Sequence, residues 1–240
     1  IMKKLVILMV TLLMAITACF GLTACGDPIT YKDLAIIEVG GETESFGIAF
    51  RKGSNITRKV EDAIVELIED GTLAELAETY GVAGVSEYTP TADANESSSD
   101  FASIQQKGKL VVGITDYKPM DYKEDGSDEW IGFDADLARA VCTKLGVNVE
   151  FKEIDWDNKF LELESKSIDC IWNGMTITEE AKLNASVTDA YVKNAQVVVA
   201  SKENIGDIKS ADDLKGKKLV AEAGSAGEAA IKDNALEENY

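Results

Sequence analysis

Ile168-Asp169-Cys170-Ile171-Trp172-Asn173-Gly174-Met175-Thr176-Ile177-Thr178 is the stretch on which the reading of this chain turns. Residues 168–172 are a short apolar run, enough for one buried strand. Asn173-Gly174 breaks the run, Thr176 and Thr178 place hydroxyls at the break, and Glu179-Glu180 opens a polar, helix-compatible segment. A strand, a turn of small residues and a helix start with free backbone N–H groups make a natural cradle for an anion or a carboxylate. In an open α/β sheet, ligands gather at such carboxyl ends of strands. The plain alternative is an ordinary strand–turn–helix corner.

Around this stretch lie 240 residues, which allow one large domain or two small lobes. Hydrophobic residues make up 45% and charged residues 28%, so a core can be buried. Asp and Glu number 43 against 24 Lys and Arg, a net charge of -19. That excess disfavours nucleic acid and anionic lipid surfaces as partners and favours a soluble, self-repelling protein. The chain has no histidine, which excludes His-based triads and the usual His-containing zinc sites. No cofactor and no metal are expected.

Ile1 precedes Met2, so the biological start is not expected at residue 1. Lys3-Lys4 is a basic leader, and residues 5–24 carry no charge, about the length of a membrane span. The run closes on Leu22-Thr23-Ala24-Cys25, which resembles a bacterial lipobox. That resemblance implies a signal peptide over residues 1–24 and lipidation of Cys25; the alternative is an uncleaved anchor. Either places the rest of the chain outside the cytoplasmic membrane.

Between residues 27 and 81 the chain alternates strand and helix signals. Residues 34–39 and 46–50 read as strands. Residues 54–69 read as a helix with Val60, Ile64, Leu67 and Ile68 on one face, stopped by Gly71, and residues 73–80 as a second short helix. Residues 82–100, with Gly84, Pro90 and many Ser and Thr, read as a linker. This alternation places the chain in the α/β class.

The 169–178 stretch resembles the signature of extracellular amino-acid-binding proteins, the polar amino-acid solute-binding proteins that serve ABC importers. Leu110-Val111-Val112-Gly113 with Tyr117-Lys118-Pro119 resembles that family's first strand and aromatic loop. Ile131-Gly132-Phe133-Asp134-Ala135-Asp136-Leu137-Ala138 is similar to the start of its next helix, and Asn194-Ala195-Gln196-Val197-Val198-Val199 to the strand leaving its first lobe. Ser210-Ala211-Asp212-Asp213-Leu214-Lys215-Gly216-Lys217 resembles a second-lobe helix, followed by a strand at residues 219–222. Phe46-Gly47-Ile48-Ala49-Phe50-Arg51-Lys52-Gly53-Ser54 and Asp70-Gly71-Thr72-Leu73-Ala74-Glu75-Leu76 resemble the family's C-terminal part, which here stands in front.

The resemblance implies a two-lobe, type II periplasmic-binding-protein-like α/β fold in circularly permuted order. Residues 25–53 supply second-lobe strands and the crossover, 54–81 helices packing on the first lobe, 82–100 the linker, 101–200 the first lobe and 201–240 the start of the second. Termini that lie close together at the surface make such a rearrangement tolerable. Hinges are expected near residues 50–53 and 199–202, with closure signalling occupancy. A family strand bearing an aspartate and the following crossover have no counterpart after Tyr240. The second lobe is therefore expected to be incomplete and the sequence a fragment of a longer reading frame, with a degenerate lobe as the alternative.

The implied ligand contacts are the rings of Tyr117 and Trp156, the Asn173, Gly174 and Thr176 turn, the Ser225 and Ala226 turn after Gly224, and Glu222, whose acid suits a cationic side chain. Each has a structural alternative: either ring can be core, and Glu222 can be a solvated strand end. The family arginine that grips a carboxylate is replaced by Ala181, leaving Lys182 as the nearest cation. Cys142 and Cys170 are expected as buried thiols, with a disulfide left open. The function implied is a lipid-anchored, monomeric receptor on the outer face of the bacterial cytoplasmic membrane, capturing a polar amino acid for an ABC permease rather than acting as an enzyme. The alternatives are a sensory or degenerate lobe that engages a partner protein, and a cyclic-acid dehydratase of similar fold.

Overall fold

The computed structural model describes residues 33–37, 43–85, 87–93, 96–206 and 208–233. The signal-peptide and Cys25 expectations lie outside those residues. The chain divides into a larger unit, Glu44–Asn194, and a smaller one made of Ala195–Tyr240 with the residues up to Thr43. The first division therefore falls between Thr43 and Glu44, earlier than the residue-53 boundary expected from sequence, and the second between residues 194 and 195. Residues 50–53 lie inside the larger unit and are not a crossing point.

The larger unit is built on a five-stranded mixed sheet of order β5-β4-β6-β3-β7. Its strands are β3 (Ala49–Arg51), β4 (Lys109–Ile114), β5 (Asn148–Glu153), β6 (Cys170–Ile171) and β7 (Ala185–Val187). β4 runs parallel to β5 and β6, while β3 is antiparallel to both its neighbours, pairing Ala49 with Ile171 on one side and with Val187 on the other. The segment expected as one strand over residues 46–50 is two. β2 (Thr43–Phe46) pairs with β8 (Val192–Ala195), and the chain then bends at Gly47 before entering β3. Two tertiary bonds impose the bend: the Gly47 N–H goes to Met175 O (2.9 Å), and the Ile48 N–H to the Thr188 hydroxyl (3.0 Å).

Helix α1 (Ile56–Glu69) buries Ile56, Val60, Ala63, Ile64 and Leu67, a stripe at helical spacing. It packs on α4 (Phe133–Leu145), and α2 (Thr72–Tyr80) packs on both. On the other face of the sheet, Ala49, Ile154, Leu163, Ile168 and Ile171 form a cluster with α5 (Lys159–Glu164) and with Ala181 of α6 (Glu179–Asn184). Alternation along the strands divides the faces: Ile171 enters that cluster, while Cys170 turns towards Cys142 of α4. Both thiols are buried and free, and burial pushes Cys142 up to about 12.

The described residues among 82–99 carry no helix or strand, but they are tied down. Glu61, fully buried on α1, accepts from the Thr91 N–H (3.1 Å) and hydroxyl (3.1 Å), the Ala92 N–H (2.8 Å) and the Asp189 N–H (3.0 Å). Arg51 reaches Asp100 (3.1 Å), the Ile168 carbonyl (2.9 Å) and Asp169 (3.4 Å). At the end of this segment, α3 (Asp100–Lys107) begins and leads into β4.

In the smaller unit, β1 (Leu34–Ile37) pairs antiparallel with β9 (Val198–Ser201) over a core of Ile37, Val198, Ile208, Leu214, Leu219 and Ile231. α7 (Lys202–Ile205) and α8 (Ala226–Asp233) complete its helices among the described residues. The segment expected as a helix over residues 210–217 is a short 3-10 turn, Ala211–Leu214, closed by a Ser210–Asp213 capping box. Residues 219–222 form no strand: Leu219 joins the core, but no ladder partner holds the backbone among the described residues. No described helix is long and apolar enough to cross a membrane.

The larger unit is continuous in sequence, so a fragment spanning residues 44–194 is expected to melt in one cooperative step; a non-cooperative melt contradicts the division. Within the full chain, Glu61→Ala strands several donors and is expected to cost about 3 kcal/mol, read as a lower urea midpoint at unchanged slope.

Candidate functional site

The carboxyl ends of β4 and β6 lie side by side, and Asn173 locks them. Its Oδ1 accepts from the Thr115 N–H (2.9 Å) and its Nδ2 donates to the Thr115 hydroxyl (2.7 Å). Asn173 is only 4% exposed, so its amide is occupied with the scaffold. Gly174 follows at φ +56°, where an added Cβ would stand 2.6 Å from Tyr117 Cε1. Only glycine fits that combination of conformation and close approach. The Gly174 N–H donates to Asp134 Oδ2 (2.6 Å), so it is committed to the scaffold.

Thr176 stands opposite Phe46 in an antiparallel bridge. The bonds flanking it run from Gly47 N–H to Met175 O (2.9 Å) and from Ile177 N–H to Ser45 O (2.8 Å). This is the non-hydrogen-bonded position of the ladder, so the N–H and carbonyl of Thr176 point to the edge away from β2. Its hydroxyl donates to Glu44 Oε2 at 3.3 Å. Thr178 caps α6, its hydroxyl accepting the Ala181 N–H (3.0 Å).

Tyr117 sits in a tight loop, its carbonyl accepting from Met120 N–H (2.7 Å) and Asp121 N–H (3.0 Å). Its ring covers Gly174 and meets Phe46 edge-on at 6.5 Å. Trp156 lies in the cluster with Ile154, Leu163 and Ile168, and is 9% exposed. Ala181 is buried in the same cluster. Lys182, the expected carboxylate contact, is exposed on α6 and paired with Glu179 (2.9 Å). The cation beside Trp156 is Lys159, which is buried, lies 4.8 Å from the ring centroid and donates to the Trp156 carbonyl (3.1 Å). Lysine is ordinarily a surface residue, and the one sequence signal for the burial of Lys159 is its place between Trp156 and Phe160, whose rings it approaches.

In the smaller unit, Ser225 caps α8: its hydroxyl accepts the Glu228 N–H (3.1 Å), and its own N–H donates to the Glu222 carbonyl (3.2 Å). Glu228 reaches back to the Gly224 N–H (2.9 Å), and its pairing with Lys232 and this bond lower its pKa. Ala226 opens the helix, and Glu222 is exposed.

Beneath the Gly174 turn lies a pair of buried acids, Asp134 and Asp121. Asp134, on the first turn of α4 and 1% exposed, accepts both the Gly174 N–H and the Tyr191 hydroxyl (2.9 Å) on one oxygen. Burial pushes it up to about 7, and the Gly174 N–H and Tyr191 hydroxyl hold it from rising further. Asp121 is fully buried, with no well-formed hydrogen bond to either carboxylate oxygen. Burial first, and then the neighbouring Asp134, raise its pKa well above the carboxylate range. Among the described residues no cluster of three or more His, Cys, Asp or Glu is arranged to hold a metal ion.

The fold is of the type II periplasmic-binding-protein-like class. Residues 110–239 match the family of bacterial extracellular solute-binding proteins, family 3, and the chain belongs to that family. It is 37% identical over 132 residues to the arginine-binding extracellular protein ArtP of Bacillus subtilis, covering 55% of this chain and 50% of that protein. It is 40% identical over 119 residues to the L-cystine-binding protein TcyA of the same organism, covering 49% and 43%. The chain thus spans about half the length of these curated relatives. Among solved structures it is similar to an ancestral amino acid-binding protein described as a precursor of cyclohexadienyl dehydratase, with TM-score 0.55, 36% identity and coverage of 57% and 61%. It is also similar to a Streptococcus pneumoniae ABC uptake transporter substrate-binding protein with bound histidine, with TM-score 0.50, 36% identity and coverage of 57% and 55%.

Because the folded-state pKa of Asp121 is raised, its contribution to stability is complete below about pH 4, near the unfolded value, and is lost as the pH rises towards the folded value. Asp121→Asn removes that loss. The variant is expected to melt several degrees above the wild type at pH 8 and level with it at pH 4, measured by calorimetry.

Proposed function

We propose that this chain is the extracytoplasmic receptor of an ABC importer and captures a polar amino acid at the 173–176 turn. The observation that carries this reading is the register of Thr176. The ladder with β2 turns its N–H and carbonyl away from the neighbouring strand, beside its own hydroxyl and the Gly174 carbonyl, at the shared carboxyl ends of β4 and β6. That set offers donors to a carboxylate and acceptors to an ammonium, with the Tyr117 ring as an apolar wall. The printed ligands of its relatives, arginine and L-cystine, and the histidine bound to a structural neighbour, support an amino acid as the ligand class. Those relatives are named as binding proteins, which supports a receptor rather than an enzyme.

With Ala181 in place of the family arginine and Lys182 paired to Glu179, carboxylate recognition rests on backbone N–H groups and on the Thr176 hydroxyl, which must exchange its long bond to Glu44 (3.3 Å) for the ligand. The reading includes a lipid anchor at Cys25, a monomeric state and an ABC permease as partner. It also takes the segment order to be a circular permutation. The position of β3, from the front of the chain, between β6 and β7 supports this.

A thermal-shift scan of the full chain in mild detergent against the twenty amino acids and L-cystine tests the proposal. Ligand at about a thousand times its dissociation constant adds about 4 kcal/mol. At about 2–4 °C per kcal/mol, the expected shift is about 8–16 °C for a subset of ligands. Thr176→Val is expected to weaken that binding about tenfold, the loss of one hydrogen bond. A cooperative melt that no amino acid moves overturns the proposal in favour of a sensory or degenerate lobe.

A further inference from the structure

We propose that Asp134 is a positioning residue for ligand capture: its buried carboxylate fixes the 173–176 turn, and its charge state, shared with Asp121, sets how firmly the turn is held, so that capture depends on pH. The proposal rests on reading that turn as the amino-acid site.

One carboxylate oxygen gathers the Gly174 N–H at 2.6 Å and the Tyr191 hydroxyl at 2.9 Å. The Asp134 backbone N–H donates to the Met120 carbonyl (2.9 Å), in the loop that carries Tyr117. Asp134 therefore joins the aromatic loop, the glycine turn and the residue leading into β8. Gly174 cannot relax towards Tyr117, because the ring already lies against it. Its conformation, and the direction of its carbonyl, follow from where Asp134 holds its N–H.

The groups around Asp134 come from every neighbouring element. Asp121 approaches from the 117–121 loop, Tyr191 from the lead into β8 and Trp172 from the end of β6. On α4 itself, Asp136 is paired with Arg139 (2.6 Å) and bonded by Tyr80 of α2, while Arg139 is the cation that acts on Asp121. No cation contacts Asp134 directly among these interactions, so burial dominates and its carboxyl titrates near neutral pH. In the ionised form, the bonds to Gly174 and Tyr191 are charge-assisted; a proton on Asp134 reduces them to neutral ones.

Two quantities then move in opposite directions. Folding stability falls as the pH rises through about 7, because the folded state holds a proton that the unfolded chain releases. Ligand affinity rises over the same range, because the ionised carboxylate grips the turn. A residue with only a structural role would move stability and leave affinity flat.

The test is calorimetric titration of the full chain with L-arginine and with L-glutamine between pH 5.5 and 8, where neither probe changes charge. The expected wild-type affinity rises about five- to tenfold across that range. Asp134→Asn is expected to be flat and to sit near the wild-type value at pH 5.5. Tyr191→Phe, which removes one donor to the carboxylate, keeps the dependence but moves its midpoint to higher pH. A wild-type profile without pH dependence, or an unchanged profile in Asp134→Asn, overturns the proposal. Should Asp134→Asn fail to fold, the Tyr191→Phe midpoint decides: no displacement overturns it. If neither amino acid binds, the Gly174 amide resonance is followed against pH. Titration near 7 that disappears in Asp134→Asn supports Asp134 as the residue that sets the turn and instead counts against the amino-acid reading. An amide that does not titrate overturns the proposal.

Discussion

The 173–176 turn is held from three distant stretches of sequence, and the local architecture of the larger unit follows from that constraint. Asn173 is tied to Thr115 at the end of β4, Gly174 to Asp134 on α4, and residues 175–177 to the 45–47 segment. Each tie is a hydrogen bond in a largely buried setting, where a missing partner would cost more than the bond itself contributes. The turn therefore has little freedom of its own. Its position is decided by the sheet, by the first turn of α4 and by a strand that arrives from the front of the chain.

That front segment is integral to the larger unit. β3 fills the gap between β6 and β7, and without it both would present unpaired edges. Arg51, at the end of β3, ties it to Asp100 and to the backbone preceding β6, while Asp169 also accepts from the Val111 N–H (2.8 Å) and is paired with Lys107. These pairs are mostly buried and multiply bonded, so they order the junction where exposed ion pairs would contribute little. Glu61 performs the same service for residues 91–92 and 189. The block that stands first in sequence thus completes the sheet carrying the candidate site, and it makes the larger unit continuous from residue 44 to residue 194.

Local pattern was enough to find the strand–turn–helix corner, because apolar run, glycine and hydroxyl residues all fall within eleven positions. It was also enough for α1, whose buried stripe is a simple helical period, and for the buried thiols. What escaped was whatever depends on contacts far along the chain. The bend at Gly47 comes from Met175 and Thr188; nothing within residues 46–50 announces it. Residues 82–99 have the composition of a free linker, yet a carboxylate on α1 pins them. Nothing local to residues 131–138 announces that the Asp134 side chain faces inward to a glycine forty residues later. Lys182, the nearest cation by sequence distance, is exposed on α6 and paired with Glu179. Residues 219–222 have strand propensity, but a strand needs a ladder partner, and none is present among the described residues.

The most direct measurement of the central claim is a crystal structure of the full chain grown with the amino acid that stabilises it most. Ligand density is expected against the N–H and hydroxyl of Thr176 and the carbonyl of Gly174, with the Tyr117 ring alongside and the Gly174–Asp134 bond intact. Density placed elsewhere would contradict it, as in the cleft of about 300 Å³ lined by Lys52, Ser54 and Ser186. So would a turn left empty under saturating ligand.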